Sequence, residues 1–281
     1  MVGEVDSGSD DAAVANFAAN RARGIVKFDV AVVAGKTRRR ELHESGSLRV
    51  RFPSPESERL SAVFVNTAGG IAGGDHFGID IAVGEGAGLA VTTAAAEKIY
   101  RSHGPAARID IALKVAADAS LHWLPQETIL FDQARVDRHI DIDLADGASL
   151  LLCEIVVFGR AAMGERVQTG QFVDRWRLRR GGRLVFAETV RLGDDIGDTL
   201  AKRAVARGGA AIGTALIVPG DDALVARIRE AEMPRGGEVG LSSWNGFALA
   251  RFCAQDAASL RADMIAVLRA AGATLPRLWL S

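Results

Sequence analysis

"IDIAVGEGAGLAVTT", residues 79–93, is the stretch from which the fold can be read. Ile79, Ile81 and Val83 alternate with Asp80 and Ala82; a small turn follows, then Leu89. A period of two marks a strand with one buried face. The same layout returns as "IDIALKVAADASLHWLP" (109–125), "IDIDLADGASLLLCEI" (140–155) and "WRLRRGGRLVFAETV" (176–190).

In each unit an apolar residue and a leucine stand six positions apart: Val83 and Leu89, Val115 and Leu121, Leu144 and Leu150, Leu178 and Leu184. The leucines recur after 32, 29 and 34 residues. The residues between them are small or turn-prone, which predicts tight hairpins. A unit of this size cannot bury its apolar face alone and must stack on its neighbours. The fold expected is therefore mainly β: a layered, helical (solenoid-like) arrangement of β-hairpin repeats. Residues 25–33 and 46–52 read as opening strands.

The last third changes character. "DDALVARIREAE" (221–232) reads as a helix capped by Asp221 or Asp222. Residues 257–271 read as a second, with Asp256 as cap, Gly272 as stop, and Leu260, Met264, Ile265 and Leu268 on one face. These two α-helices complete a single β-rich domain over 23–281. Residues 1–22 read as a disordered N-terminal tail.

The chain has 281 residues, 48% hydrophobic and 25% charged, with a net charge of −1. That balance gives no bulk electrostatic case for a nucleic-acid or anionic-membrane partner. The basic cluster at 36–40 is followed at once by Glu41 and Glu44 and reads as a solvated strand end. No apolar run approaches a membrane span. The acidic, polar N-terminal stretch is unlike a secretory signal, so the expected location is the cytoplasm. Cys153 and Cys253 match neither a redox CxxC nor a zinc framework and read as small buried hydrophobes.

"GGIAGGD" (69–75) invites a phosphate-loop reading, but it lacks Lys and ends in a carboxylate. Anion sites of that kind also open a helix, whereas strands flank this one. A bulged or closely packed strand connection is the other reading. The five histidines are scattered, without HExxH, and no GxSxG elbow occurs. His122 reads as a packed or hydrogen-bonded strand residue. His76 is the best metal candidate, although its neighbour Asp75 would face the opposite way on a strand.

The acidic residues after the turns carry more information. Counted from the repeat leucine, Glu97 lies at +8, Glu127 at +6, and Glu154 and Glu188 each at +4. Even offsets along an unbroken strand keep a side chain on the leucine's buried face. A buried carboxylate needs a partner, water or a cation. Either these groups line a hydrated interior path that holds a divalent cation loosely at each point, or bulges and nearby Lys and Arg residues make them ordinary ion pairs.

From about Gly24 onward the chain resembles the urease accessory protein UreD (UreH) family. The carriers are "GGIAGGD" (69–75), "TTAAAEKIYRS" (92–102), "LPQETILFDQAR" (124–135), "EIVVFGRAAMGE" (154–165), "NGFALAR" (245–251) and "PRLW" (276–279), in the family's order. The resemblance implies a non-enzymatic maturation factor that binds the urease apoprotein and recruits UreF, which docks the nickel-bringing GTPase UreG. It implies membership of a dimeric accessory complex, no permanently bound cofactor, and transient nickel as cargo in an internal tunnel. On motif match, Asp75, Glu154 and Glu188 become candidate metal-path residues; Glu127 joins them on the repeat argument alone. Two other classes remain: a plain interaction scaffold with an inert acidic row, and a β-solenoid hydrolase or lyase using paired carboxylates.

Overall fold

A computed structural model describes residues 21–54, 58–231, 234 and 236–280, so the expected tail falls almost wholly outside the described residues. The first seven strands are β1 (Arg23–Val33), β2 (Lys36–Gly46), β3 (Leu48–Arg51), β4 (Leu60–Asn66), β5 (His76–Val83), β6 (Gly88–Thr93) and β7 (Glu97–Ile99). The middle of the chain forms β8 (Ala107–Val115), β9 (Ser120–Trp123), β10 (Thr128–Leu130), β11 (Arg135–Leu144) and β12 (Ser149–Phe158). Then come β13 (Gln171–Arg180), β14 (Arg183–Leu192), β15 (Ala211–Val218), β16 (Glu238–Trp244) and β17 (Phe247–Ala254). The helices are α1 (Ile196–Ala201), α2 (Asp222–Glu230) and α3 (Ala257–Ala270).

The strands form two sheets that face each other. One has the order β14-β13-β11-β8-β5-β1-β2; the other runs β16-β17-β15-β12-β9-β6-β4-β3, with β7 and β10 as a side branch from β12. Successive repeats stack in parallel, so their apolar positions fall into columns. Phe28, Ile81, Leu113, Ile142 and Leu178 are neighbours across five strands, and all are buried. Leu89, Leu121 and Leu150 form the matching column in the other sheet.

The mainly β, solenoid-like class expected from the repeats is what the chain adopts, but three of the four expected hairpins are arcs. β5 and β6 do not pair; the turn between them carries the chain from one sheet to the other, as do the turns after β8 and β11. At each arc an alanine (Ala87, Ala119, Ala148) tucks into the interior, and backbone bonds such as Ser120 N to Ala87 O and Ser149 N to Ala119 O stack one arc on the next. Only the fourth unit is a hairpin, β13–β14, turning through Gly181 and Gly182 at positive φ. There the ladder sets Leu144 beside Arg180, not Leu178, and Leu184 is exposed.

One core fills the space between the sheets; a second lies between the outer face of the β12–β15–β17 region and helices α2 and α3. Asp221 caps α2 by accepting from Leu224 N at 2.8 Å, and Asp256 caps α3 by accepting from Ser259 N at 2.8 Å. The buried stripe of α3 is Leu260, Asp263, Met264, Val267 and Leu268, with Ile265 at its edge. No helix among the described residues is long and apolar enough to cross a membrane.

Candidate functional site

On β11, Val136, Ile140, Ile142 and Leu144 face the core, and Arg138 falls in the same phase. On β13, Phe172, Trp176 and Leu178 face the core, with Asp174 in phase. The parallel register sets Arg138 directly beside Asp174, and they meet through Nε to Oδ1 at 3.0 Å and Nη2 to Oδ2 at 2.7 Å. Arg138 Nη1 reaches across to the other sheet and donates to Glu154 Oε2 at 2.5 Å. Trp123 Nε1 donates to the second Glu154 oxygen at 2.9 Å, and Trp176 Nε1 to Asp174 Oδ2 at 3.0 Å. One guanidinium is thus shared by two carboxylates in the middle of the protein, all three residues at most 6% exposed.

Burial pushes the Glu154 carboxyl above its usual range, opposed by the charge of Arg138 and reinforced by that of Asp174. For Arg138 the two carboxylates outweigh burial, so its pKa rises and it stays charged. With both acids ionised the cluster carries one excess negative charge in a medium where charge is costly.

Glu188 joins this cluster. It lies across the β13–β14 ladder from Trp176 and shares its face with Phe186, Val190 and Leu192. Together with Glu154 and Asp174 it lines one narrow cleft walled by Val156, Phe172 and Ile212. Arg251 Nη1 donates to Glu188 Oε1 at 2.5 Å, while the other oxygen is buried without a partner. Trp123 extends the constellation the other way: its ring also lines a cavity of about 340 Å³ that contains Glu97. Asn66 Nδ2 donates to both Glu97 oxygens at 3.2 Å, and burial raises that carboxyl to about 7 despite this bond.

A family model described as UreD urease accessory protein matches residues 22–280. The chain belongs to this family. Among similar curated proteins, the "Urease accessory protein UreD" of Rhodopseudomonas palustris strain BisA53 is 75% identical over 265 residues, 94% of this chain and 93% of that protein. The protein of the same name from strain HaA2 is 71% identical over 99% of each chain. That of Bradyrhizobium diazoefficiens is 72% identical over 94% of this chain and 96% of its own length. With the family shown, a role in the accessory machinery of urease is established at that level.

Two of the four residues expected on the metal path, Glu154 and Glu188, meet at the cleft; Asp75 and Glu127 point elsewhere. Asp75 is buried, but its two oxygens accept from Ala22 N at 2.8 Å and Ala72 N at 2.7 Å. It pins the chain's entry strand to the glycine-rich loop. The glycines there serve close packing: a Cβ on Gly73 would stand 1.8 Å from Ser102 Oγ, and one on Gly70 2.5 Å from the Tyr100 ring. Glu127 turns outward and accepts from Arg261 Nη1 of α3 at 2.6 Å. Parity fails for Glu127 because β9 ends at Trp123 and the chain leaves the sheet at Leu124–Glu127. When pairing resumes, the inward residue is Thr128, whose hydroxyl lies 3.5 Å from Arg138 Nη1.

His76 is no chelator with Asp75; its Nε2 instead lies 2.9 Å from Asp110 on the outer face of the first sheet. Among the described residues, no three His, Cys, Asp or Glu side chains stand close enough to hold a metal ion. Arg138 and Asp174 were missed in the sequence. Their signal was there: a charged residue in the inward phase of each of two successive repeats.

Proposed function

We propose that this protein is a urease maturation scaffold: it binds the urease apoprotein and the UreF–UreG pair and passes nickel, as cargo, along the interior between its sheets. The observation that carries the reading is the convergence of Glu154, Asp174 and Glu188 on one internal cleft, with one Glu188 oxygen buried and unpartnered. Carboxylate oxygens suit a divalent cation, and single contacts at each step favour transfer over capture. Glu97, beyond Trp123, extends the acidic row toward a wider cavity.

Co-expression of urease genes with and without this chain tests the maturation role: purified urease is expected to hold nickel only with it, and equal loading would sink the proposal. For the path itself, Glu188→Ala and Glu154→Ala are compared for urease activation, with capture of UreF as the control for folding. Lost activation with intact UreF capture is the expected result.

A second reading has an observation of its own. Arg138 already holds both Glu154 and Asp174, which suits a structural bridge in a plain scaffold. Under that reading Glu188→Ala leaves nickel loading untouched.

A further inference from the structure

The motif "PRLW" ends in a 3₁₀ turn, Arg277–Trp279, in which Trp279 is 1% exposed. The indole packs in the outer core with Leu124, and its Nε1 donates to Leu124 O at 2.8 Å. Leu124 opens the irregular link to Glu127 that joins β9 to β10. A link outside the ladders is held only by whatever else its polar groups meet. We propose that Arg261 and the C-terminal turn form a latch that fixes the Leu124–Glu127 link as a wall of the interior cavity, and so holds Glu97 in place on the acidic row.

Arg261, on α3, is the centre of the grip. Its Nη1 donates to Gln126 Oε1 at 2.8 Å and to Glu127 Oε1 at 2.6 Å, and its Nη2 to Leu278 O at 3.0 Å. The guanidinium also lies 4.9 Å from the centre of the Trp279 ring. Gln126 Nε2 donates to the same Leu278 carbonyl at 2.8 Å. One planar fork thus ties helix, link and chain end together, which a compact ammonium could not do.

The inner side of the link meets the interior. Trp123 and Pro125 line the cavity of about 340 Å³ that contains Glu97. Gln126 N donates to Thr93 Oγ1 at 2.9 Å, that hydroxyl to Ala95 O at 2.9 Å, and Glu97 N to Glu127 O at 2.8 Å. What the latch grips from outside therefore grips, from inside, the segment that carries Glu97.

Of the residues lining this cavity, Glu97 and the exposed Lys98 are the charged ones. Burial raises the Glu97 carboxyl to about 7, opposed by the bonds from Asn66 and Lys98 N and by the charge of Lys98. Its titration thus reports how well the wall shelters it. What the wall means for nickel transfer rests on the function proposed above; the latch itself belongs to the chain and is tested without urease.

The test is amide hydrogen exchange and urea unfolding of the full chain, for wild type, Arg261→Gln, Arg261→Lys and Trp279→Phe. In Arg261→Gln, exchange at Leu124, Gln126 and Glu97 is expected to speed up about tenfold or more, as for loss of hydrogen bonds to a charged group, with the amides of β11 and β13 unchanged. The fall in urea midpoint between about pH 5 and pH 8 should shrink, because a wetted Glu97 carboxyl titrates closer to its free value. Arg261→Lys keeps the charge beside Glu127 without the fork and should restore only part of the protection. Trp279→Phe keeps a ring but loses the bond to Leu124 O, and should speed the same amides to a lesser degree. Unchanged exchange at the three amides in both Arg261→Gln and Trp279→Phe overturns the proposal. So does a speed-up shared equally by β11 and β13, which marks a general loss of stability. Both readouts are taken on the chain alone, so their failure is distinct from a failure of urease nickel loading, which bears on the maturation role.

Discussion

Arg138 and Asp174 lie side by side in a parallel ladder and are joined by a two-pronged ion pair inside the protein, 36 residues apart in the chain. The third contact of the guanidinium, to Glu154, ties the first sheet to the second. Removing the shared cation leaves two buried carboxylates facing each other. Arg138→Met is therefore expected to cost about 3–5 kcal/mol, read as a lower urea midpoint. Glu154→Gln keeps the shape and leaves the Arg138–Asp174 pair intact, so its cost is expected to be smaller.

Glu97 makes stability depend on pH. Its carboxyl has a pKa of about 7 in the folded chain against 4.5 for the free group. Between those values the folded state holds more protons than the unfolded one, so stability is greatest below the unfolded pKa and falls as pH rises through the folded one. The drop between pH 5 and 8 is on the order of 2 kcal/mol. Glu97→Gln is expected to flatten that slope and to raise the urea midpoint at pH 8 above wild type.

Asp75 holds two backbone amides from segments some fifty residues apart. Asp75→Ala leaves both without that acceptor, at an expected cost of about 1–3 kcal/mol. Amide hydrogen exchange at Ala22 and Ala72 should speed up well before any change in the stacked core.

Gly73 has no room for a methyl group: Ser102 Cβ lies 2.4 Å and Pro105 O 2.7 Å from where it would sit. Gly73→Ala should destabilise by about 1–3 kcal/mol through overpacking. Adding Ser102→Gly should restore part of the loss, and thermal melts of the single and double variants measure it.

Period-two alternation gave the strands and the inward phase of Glu154, because burial follows parity wherever a strand runs unbroken. Glu188 also faces the cleft, but not by that count: Leu184, from which it was counted, is exposed, and the β13–β14 register shifts between Leu184 and Phe186. Glu127 defeats that logic at the irregular Leu124–Glu127 link. Arcs and hairpins were confused for a physical reason: both need small residues between two alternating strands. The distinction lies one step deeper. Ala87-Gly88-Leu89, Ala119-Ser120-Leu121 and Ala148-Ser149-Leu150 carry an alanine small enough for the inner corner of an arc. Gly182-Arg183-Leu184 has a glycine instead, and there the chain turns back on itself. Arg138 and Asp174 lie 36 residues apart, and their meeting becomes visible only once the stacking register is known.

The arcs also govern how the chain can assemble. A hairpin pairs as soon as its turn closes, but each parallel neighbour here is about thirty residues away, so a loop of that length must close before the first ladder bond forms. Such nonlocal pairing is slow, and until the last repeat docks, bare strand edges stay open to other chains. The protein is thus at greatest risk of self-association while still incomplete, and conditions that slow its synthesis or shorten its repeats should raise the yield of aggregate rather than of a smaller folded unit.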